Sequence, residues 1–271
     1  MDKEAMKALS ATFTKASVST SQEDSDKCPV CHGRGWETYY SSDGTEEIYG
    51  YPVEVLYARK CSRCSGFNPD DFDRTGVPDM YRTVDMTRFK WDAYQGDIGF
   101  IKKIVMSFKE KFTEWQSDNR GLYIWSQTPG SGKTMLACCL GKTLMMRHNL
   151  RMRFITAPDY MNVVSESYKR EKGDIDPSAI YRECELLILD DIGAQMSKEW
   201  QQQEMFRLID TRVTKGLVTI YTSNMSPEKL NLDNRTVTRI IKSAIPIRMP
   251  EESVRLILAG EEQKRFLEKM L

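Results

Sequence analysis

Apolar positions along the 271-residue chain change their spacing near residue 99. From there Phe100, Ile101, Ile104, Val105, Phe108 and Phe112 recur at the three-to-four-residue spacing of a helix face. Short apolar runs then follow at Leu122–Trp125, Met152–Thr156, Leu186–Asp190, Val218–Thr222 and Ile245–Met249. Helical patterns over 133–147, 158–170 and 198–214 separate the first four runs, and another over 234–243 precedes the fifth. Residues 253–271 read as a closing helix outside the sheet. Runs of this kind alternating with helices predict βαβ units, hence an α/β fold whose parallel five-stranded sheet is covered on both faces.

The first part of the chain has a different grammar. Residues 1–27 combine a short helical stretch with a Ser/Thr-rich linker. Residues 28–66 hold two segments rich in aromatic and β-branched residues, Trp36–Tyr40 and Ile48–Tyr57, with Ser-Ser-Asp-Gly between them. That is hairpin chemistry. A polar Gly/Pro-bearing stretch, 67–98, is expected as the linker into a larger domain spanning 99–271.

Composition narrows the class. Apolar residues make up 40% and charged residues 29%, which fits a globular chain rather than a disordered one. The longest aliphatic run, Leu186–Leu189, is far too short for a membrane span, and the N-terminus has no apolar signal segment. A cytoplasmic protein without a membrane partner is expected. The 39 basic and 39 acidic residues cancel, which excludes a uniformly cationic surface. Locally they do not cancel. Residues 1–78 hold 9 basic and 13 acidic groups, whereas Ile101–Arg153 holds 10 basic and 3 acidic.

Four of the seven cysteines form two C-x-x-C pairs, Cys28/Cys31 and Cys61/Cys64. Two such knuckles present four thiolates in the tetrahedral arrangement that suits a closed Zn²⁺ site. An iron–sulfur cluster or a redox dithiol remains an alternative. Residues 28–66 thus read as a small zinc-ribbon-like β domain. Cys138, Cys139 and Cys184 lie in apolar segments and read as core residues.

The stretch following the first apolar run reads Thr128-Pro129-Gly130-Ser131-Gly132-Lys133-Thr134-Met135 between a strand and a helix. Glycines here let backbone N–H groups converge on an anion at a helix N-terminus; the lysine reaches β/γ-phosphates and the threonine hydroxyl ligates Mg²⁺. Gln127 stands where the pattern has its first glycine. The third run ends in Asp190-Asp191, adjacent acids that repel unless a cation faces them. Asp190 is expected on Mg²⁺ and Asp191 on the attacking water. The fourth run ends in Ser223-Asn224, an amide placed to orient that water.

Together these motifs resemble the helicase-loader branch of the AAA+ ATPases, the DnaC/DnaI-like family, over about residues 80–271. The resemblance implies an AAA+ P-loop ATPase core that binds ATP and Mg²⁺, and a replication role: binding a hexameric replicative helicase and placing it on single-stranded DNA. It puts Asn224 at the sensor 1 position and Arg255 at the sensor 2 position. Arg239, with Arg235 second, falls in the box that carries an arginine finger. A finger acts in trans and accelerates phosphoryl transfer by about 10³–10⁵, so self-association into a ring or spiral is implied. Tyr81 and Phe89 are possible adenine neighbours. Weak ATPase activity, stimulated by DNA or partner, is expected. Arg147, Arg151, Arg153, Tyr168, Lys169 and Arg170 are candidate DNA contacts. An IstB-like transposition helper shares the same core and is the alternative; the four-cysteine module favours the loader.

Overall fold

The computed structural model describes residues 30–31, 36–40, 46–48, 51–53, 56–61, 72–169, 176–193 and 198–271. Near the N-terminus β1 (Trp36–Tyr40) pairs antiparallel with β4 (Leu56–Lys60), Trp36 opposite Lys60. Between them β2 (Glu46–Ile48) pairs with β3 (Tyr51–Val53). The expected single strand Ile48–Tyr57 is therefore corrected to a nested hairpin. Gly50 falls between the two short strands in sequence, and a residue without a side chain to pack does not suit the interior of a continuous strand.

The larger domain begins with α1 (Gly99–Glu110) and α2 (Phe112–Ser117). Ile101, Val105 and Phe108 are buried at the 4-3 spacing of one face of α1, and Phe112 is buried at the start of α2. Phe100 precedes that face by one residue, about 100° around the helix, and is 74% exposed; it does not belong to the core as its spacing suggested. Next come β5 (Gly121–Trp125), α3 (Lys133–His148), β6 (Met152–Thr156), α4 (Ala157–Ser167), α5 (Ala179–Glu183) and β7 (Leu186–Asp190). The chain closes with α6 (Glu199–Thr214), β8 (Val218–Ser223), α7 (Asn234–Ser243), β9 (Ala244–Arg248) and α8 (Val254–Met270).

The five core strands are all parallel, in the order β6-β7-β8-β5-β9. Each strand divides its side chains between two cores, as a period of two requires. Leu122, Ile124, Leu186, Ile188, Val218 and Ile220 pack with α1 and α3. Tyr123, Leu187, Leu189 and Tyr221 pack with α4, α6 and α7. Burying each such side chain contributes about 1.5–3 kcal/mol, so both sheet faces anchor the strand tips that carry the polar residues. Among the described residues no helix is long and apolar enough to cross a membrane.

Residues 72–98 are integrated with this domain rather than simply linking to it. Phe72, Val77, Phe89 and Tyr94 are buried in the same core as α3, and the Phe154 N–H donates to Thr75 O at 2.8 Å. The segment lacks periodicity because turns and two 3-10 helices, Asp79–Tyr81 and Trp91–Ala93, deliver its aromatics one at a time.

Candidate active site

The loop between β5 and α3 enters left-handed backbone at Gly130 (φ 77°) and Gly132 (φ 87°), which L side chains resist. A Cβ at Gly132 would lie 2.5 Å from Tyr94 Oη, and one at Gly130 would lie 2.8 Å from Ser253 Oγ. Tyr94 donates its hydroxyl to Ser131 O at 2.7 Å, bracing the loop from behind. Gln127 is absent from the residues with positive φ, so the backbone there makes no demand for the glycine of the usual pattern.

Lys133 begins α3 and is 8% exposed. Its Nζ donates to Ser126 O (3.2 Å), Thr128 O (3.1 Å) and Ser131 Oγ (3.2 Å). Burial pulls its ammonium below the usual lysine range, while Glu251, Asp191 and Asp190 oppose that shift. Thr134 donates its hydroxyl to Asp190 Oδ1 at 2.8 Å, bringing α3 to the tip of β7. Asp190 is pushed above the normal carboxylate range by burial, with Thr222 and Thr134 hydrogen bonds opposing.

Thr222, near the tip of the intervening strand β8, connects the two acids. Its hydroxyl donates to Asp190 Oδ1 at 2.5 Å and accepts the Asp191 N–H at 3.0 Å. Asp191 sits at φ 55°, which turns its side chain away from Asp190 and towards Asn224. The Asn224 amide donates to Asp191 Oδ1 at 3.2 Å. The two adjacent carboxylates therefore face different partners, one the phosphate loop and one the amide. Asp191 and Asn224 line a cavity of about 590 Å³ with Pro158, Gly193 and Met225.

A second cavity of about 340 Å³ lies over the loop, lined by Gly130, Ser131, Gly132, Lys133, Thr134 and Met135 below and by Tyr81, Met80, Arg255 and Leu258 around it. The Arg255 N–H donates to Gly130 O at 3.1 Å. Burial raises the Tyr81 phenol and Arg255 opposes it, consistent with Tyr81 at this cavity. Phe89 is not there. It is buried behind the loop, edge-on to Trp91 and stacked on Tyr94. Thr128 and Pro129 form the entry to the loop, and the lining begins at Gly130.

The donor set fits a Mg-nucleotide. An anion nest, an ammonium, a hydroxyl and a buried carboxylate converge where a phosphate and a hard cation need them. Cys28 and Cys64 lie outside the described residues, while Cys31 and Cys61 are 0% and 1% exposed. Cys61 directly follows β4, while the four residues between Cys31 and β1 lie outside the described residues. Among the described residues no group of three or more His, Cys, Asp or Glu side chains comes together to hold a metal ion.

The profile of the family described as "IstB-like ATP binding protein" matches residues 99–249, more than half of the chain. The chain belongs to that family. Like other matches, a chromosomal replication initiator protein DnaA from Paraburkholderia xenovorans (strain LB400) is similar over part of its length: 31% identical over 142 residues, 51% of this chain and 26% of that protein. The chain thus spans about a quarter of the length of the curated relatives it matches. A crystal structure of the DnaC helicase loader aligns with TM-score 0.55 and 20% identity, covering 64% of this chain and 100% of that one. A DnaI structure aligns with TM-score 0.53 and 22% identity, covering 64% and 94%. These two likenesses show a shared fold.

The structure gathers Lys133, Thr134, Asp190 and Arg255 around the phosphate loop, sets Asp191 and Asn224 at the other cavity, and leaves Arg239 elsewhere. Arg239 forms an ion pair with Asp210 and stacks over the Phe206 ring at 4.6 Å; Arg235 covers the same ring at 4.8 Å. Both arginines belong to an α6–α7 surface that does not line the loop cavity. The candidate DNA contacts are partly neutralised. Arg147 pairs with Glu110 at 3.0 Å, Arg151 with Glu185 at 3.4 Å, and the Tyr168 hydroxyl donates to Glu204 at 2.6 Å. Arg153 donates to Met152 O, Lys169 ends the turn after α4, and Arg170 lies outside the described residues.

Sequence reasoning missed Thr222, Glu251, Met80 and Tyr94. Thr222 is an ordinary strand threonine by composition. Glu251 lies 123 residues from the Thr128 it contacts. Neither had a local signal.

Proposed function

We propose that this chain is an ATP-hydrolysing replication protein that binds a hexameric replicative helicase and loads it onto single-stranded DNA. The observation that carries the reading is the meeting of Lys133, Thr134 and Asp190 at one loop of an ATP-binding family core, with Thr222 linking Asp190 to the Asp191–Asn224 pair. Lys133 rests on loop carbonyls and is free to exchange them for β/γ-phosphate oxygens. Thr134 and Asp190 would hold Mg²⁺, which would supply positive charge against the phosphates. Asp191, oriented by Asn224, takes the proton of the attacking water. Arg255 faces the phosphates from α8.

Arg239 supplies the finger to a neighbouring copy, because its α6–α7 surface is separate from its own loop cavity. Cys28, Cys31, Cys61 and Cys64 hold Zn²⁺ in the N-terminal module, which engages the helicase. The protein works in the cytoplasm. Basic groups among Arg147, Arg151, Arg153, Lys169 and Arg170, with Tyr168, contact DNA. The family description favours a second reading, an IstB-like helper of transposition.

The test measures ATP hydrolysis by the wild type and by Lys133→Ala, with and without single-stranded DNA, beside copurification with a replicative helicase and with a transposase. The loader reading expects weak turnover that DNA or helicase stimulates, abolished in Lys133→Ala, and stable association with the helicase. Association with the transposase alone would transfer the assignment to the helper. Zinc is measured in the same preparation: about one equivalent per chain is expected, lost when Cys31 and Cys61 are both replaced by Ser.

A further inference from the structure

We propose that Glu251 is a positioning residue for the phosphate loop, holding residues 126–128 in the shape that the triphosphate requires. The proposal rests on the ATP-binding reading and adds a group that no loop pattern contains.

Glu251 lies in the turn between β9 and α8. Its Oε2 accepts three donors from the loop: the Thr128 N–H (2.8 Å), the Thr128 hydroxyl (3.0 Å) and the Ser126 hydroxyl (2.9 Å). Its Oε1 faces Arg248 Nη2 at 3.3 Å, and that guanidinium lies over the Trp125 ring at 5.1 Å. The carboxylate is thus oriented by β9 on one oxygen and spent on the loop with the other. The mount itself is fixed. The neighbouring Glu252 accepts the N–H groups of Gln95 and Gly96, both at 2.8 Å.

The opposite side of the same stretch completes the argument. The carbonyls of Ser126 and Thr128 hold Lys133 Nζ at 3.2 and 3.1 Å. A carboxylate on the N–H and hydroxyl side and an ammonium on the carbonyl side clamp three residues between opposite charges. When the ammonium moves to a phosphate, the carboxylate still holds the stretch. Glu251 does not compete for the anion, because it binds the leading edge of the loop and the cavity lining begins at Gly130. Charge-assisted hydrogen bonds of this kind are about twice as strong as neutral ones.

The experiment measures Mg-ATP binding to the full chain by calorimetry for the wild type, Glu251→Ala and Glu251→Gln, with steady-state kinetics on each. The alanine variant is expected to raise Kd by about tenfold or more. The glutamine variant keeps an oxygen acceptor for the Thr128 N–H and should recover part of that loss, a rescue that a merely space-filling role would not produce. KM should rise more than kcat falls. If Glu251→Ala does not fold, Glu251→Gln against the wild type decides. Variants that bind ATP as tightly as the wild type, or more tightly, overturn the proposal. A wild type that binds no ATP overturns the ATP reading instead.

Discussion

Thr222→Val tests whether one hydroxyl sets the geometry of both acids. Valine keeps the branched shape on β8, where Thr222 is 2% exposed, and removes only the oxygen. Two hydrogen bonds disappear: the donation to Asp190 Oδ1 and the acceptance of the Asp191 N–H. A bond to a charged group contributes about 1.5–3 kcal/mol, and a buried N–H left unpaired costs about 1–3 kcal/mol. The second loss also releases Asp191 from its φ of 55°, a conformation that costs a non-glycine residue about 1–2 kcal/mol and needs support from its surroundings. Relaxation recovers part of the sum, leaving an expected destabilisation of about 3 kcal/mol. For a domain of this size that is a fall in Tm of about 6–12 °C. Urea denaturation without nucleotide and ATP turnover at a temperature where both proteins are folded are the two assays. Turnover should fall together with stability, and Thr222→Ser should restore most of both. A valine variant within about 0.5 kcal/mol of the wild type and with undiminished turnover would refute the assignment.

Two other outcomes follow from buried or hydrogen-bonded charge. Arg212 is 1% exposed and donates to Thr219 Oγ1, Tyr181 O, Cys184 O, Cys184 Sγ and Val218 O, so Arg212→Met removes the donor from five acceptors. A loss of about 3–5 kcal/mol in urea unfolding is expected, with the ATP affinity of the folded protein unchanged; a shift below about 1 kcal/mol would count against it. Acid sensitivity should come from Glu251 and Asp176. Burial raises both carboxyls, but hydrogen bonds to Ser126 and the 127–128 backbone, and to Ser178 and Arg182, outweigh it and bring each to about 2. A carboxyl depressed in the folded state stabilises above its unfolded value, and that contribution fades as pH falls towards the folded value. Stability should therefore decline from the ordinary values of 4.5 and 3.8 down to about 2, and Glu251→Gln should flatten the slope. Asp190, shifted upward by burial, acts in the opposite sense and is relieved on acidification. An unchanged slope in Glu251→Gln would show that the carboxylate contributes nothing to folding.

Much of the sheet was legible because its strands are buried on both faces. Leu186–Asp190 is one uninterrupted apolar run ending in acids, and it forms a strand of those bounds. The loop was legible because its chemistry is local: glycines, lysine and threonine act where they stand in sequence. The rest depends on distant partners. Glu251 follows a proline and reads as turn chemistry until the β5–β9 register sets it beside Thr128. Arg147 and Arg151 read as cationic surface because Glu110 and Glu185, which pair with them, lie far off in sequence. Arg239 gave no sign of Phe206 and Asp210, since two separate helices had to meet first. Segment 72–98 looked like a connector because its buried aromatics follow no period.

The strand order separates what can move from what cannot. β8 lies between the strand that leads into the phosphate loop and the strand that ends in Asp190. Those two are two ladder spacings apart, about 10 Å, and parallel hydrogen bonding on both sides of β8 fixes that distance as a ruler does. Exchanging a nucleoside triphosphate for a diphosphate cannot stretch it. If the chain hydrolyses the nucleotide as proposed, a displacement would fall on the rim: the Asp191–Gly193 turn, the 250–253 turn, and α8, whose residues are exposed from Gly260 onward. The five strands are a stiff gauge with a compliant edge, and a partner that sensed the nucleotide state would have to grip that edge.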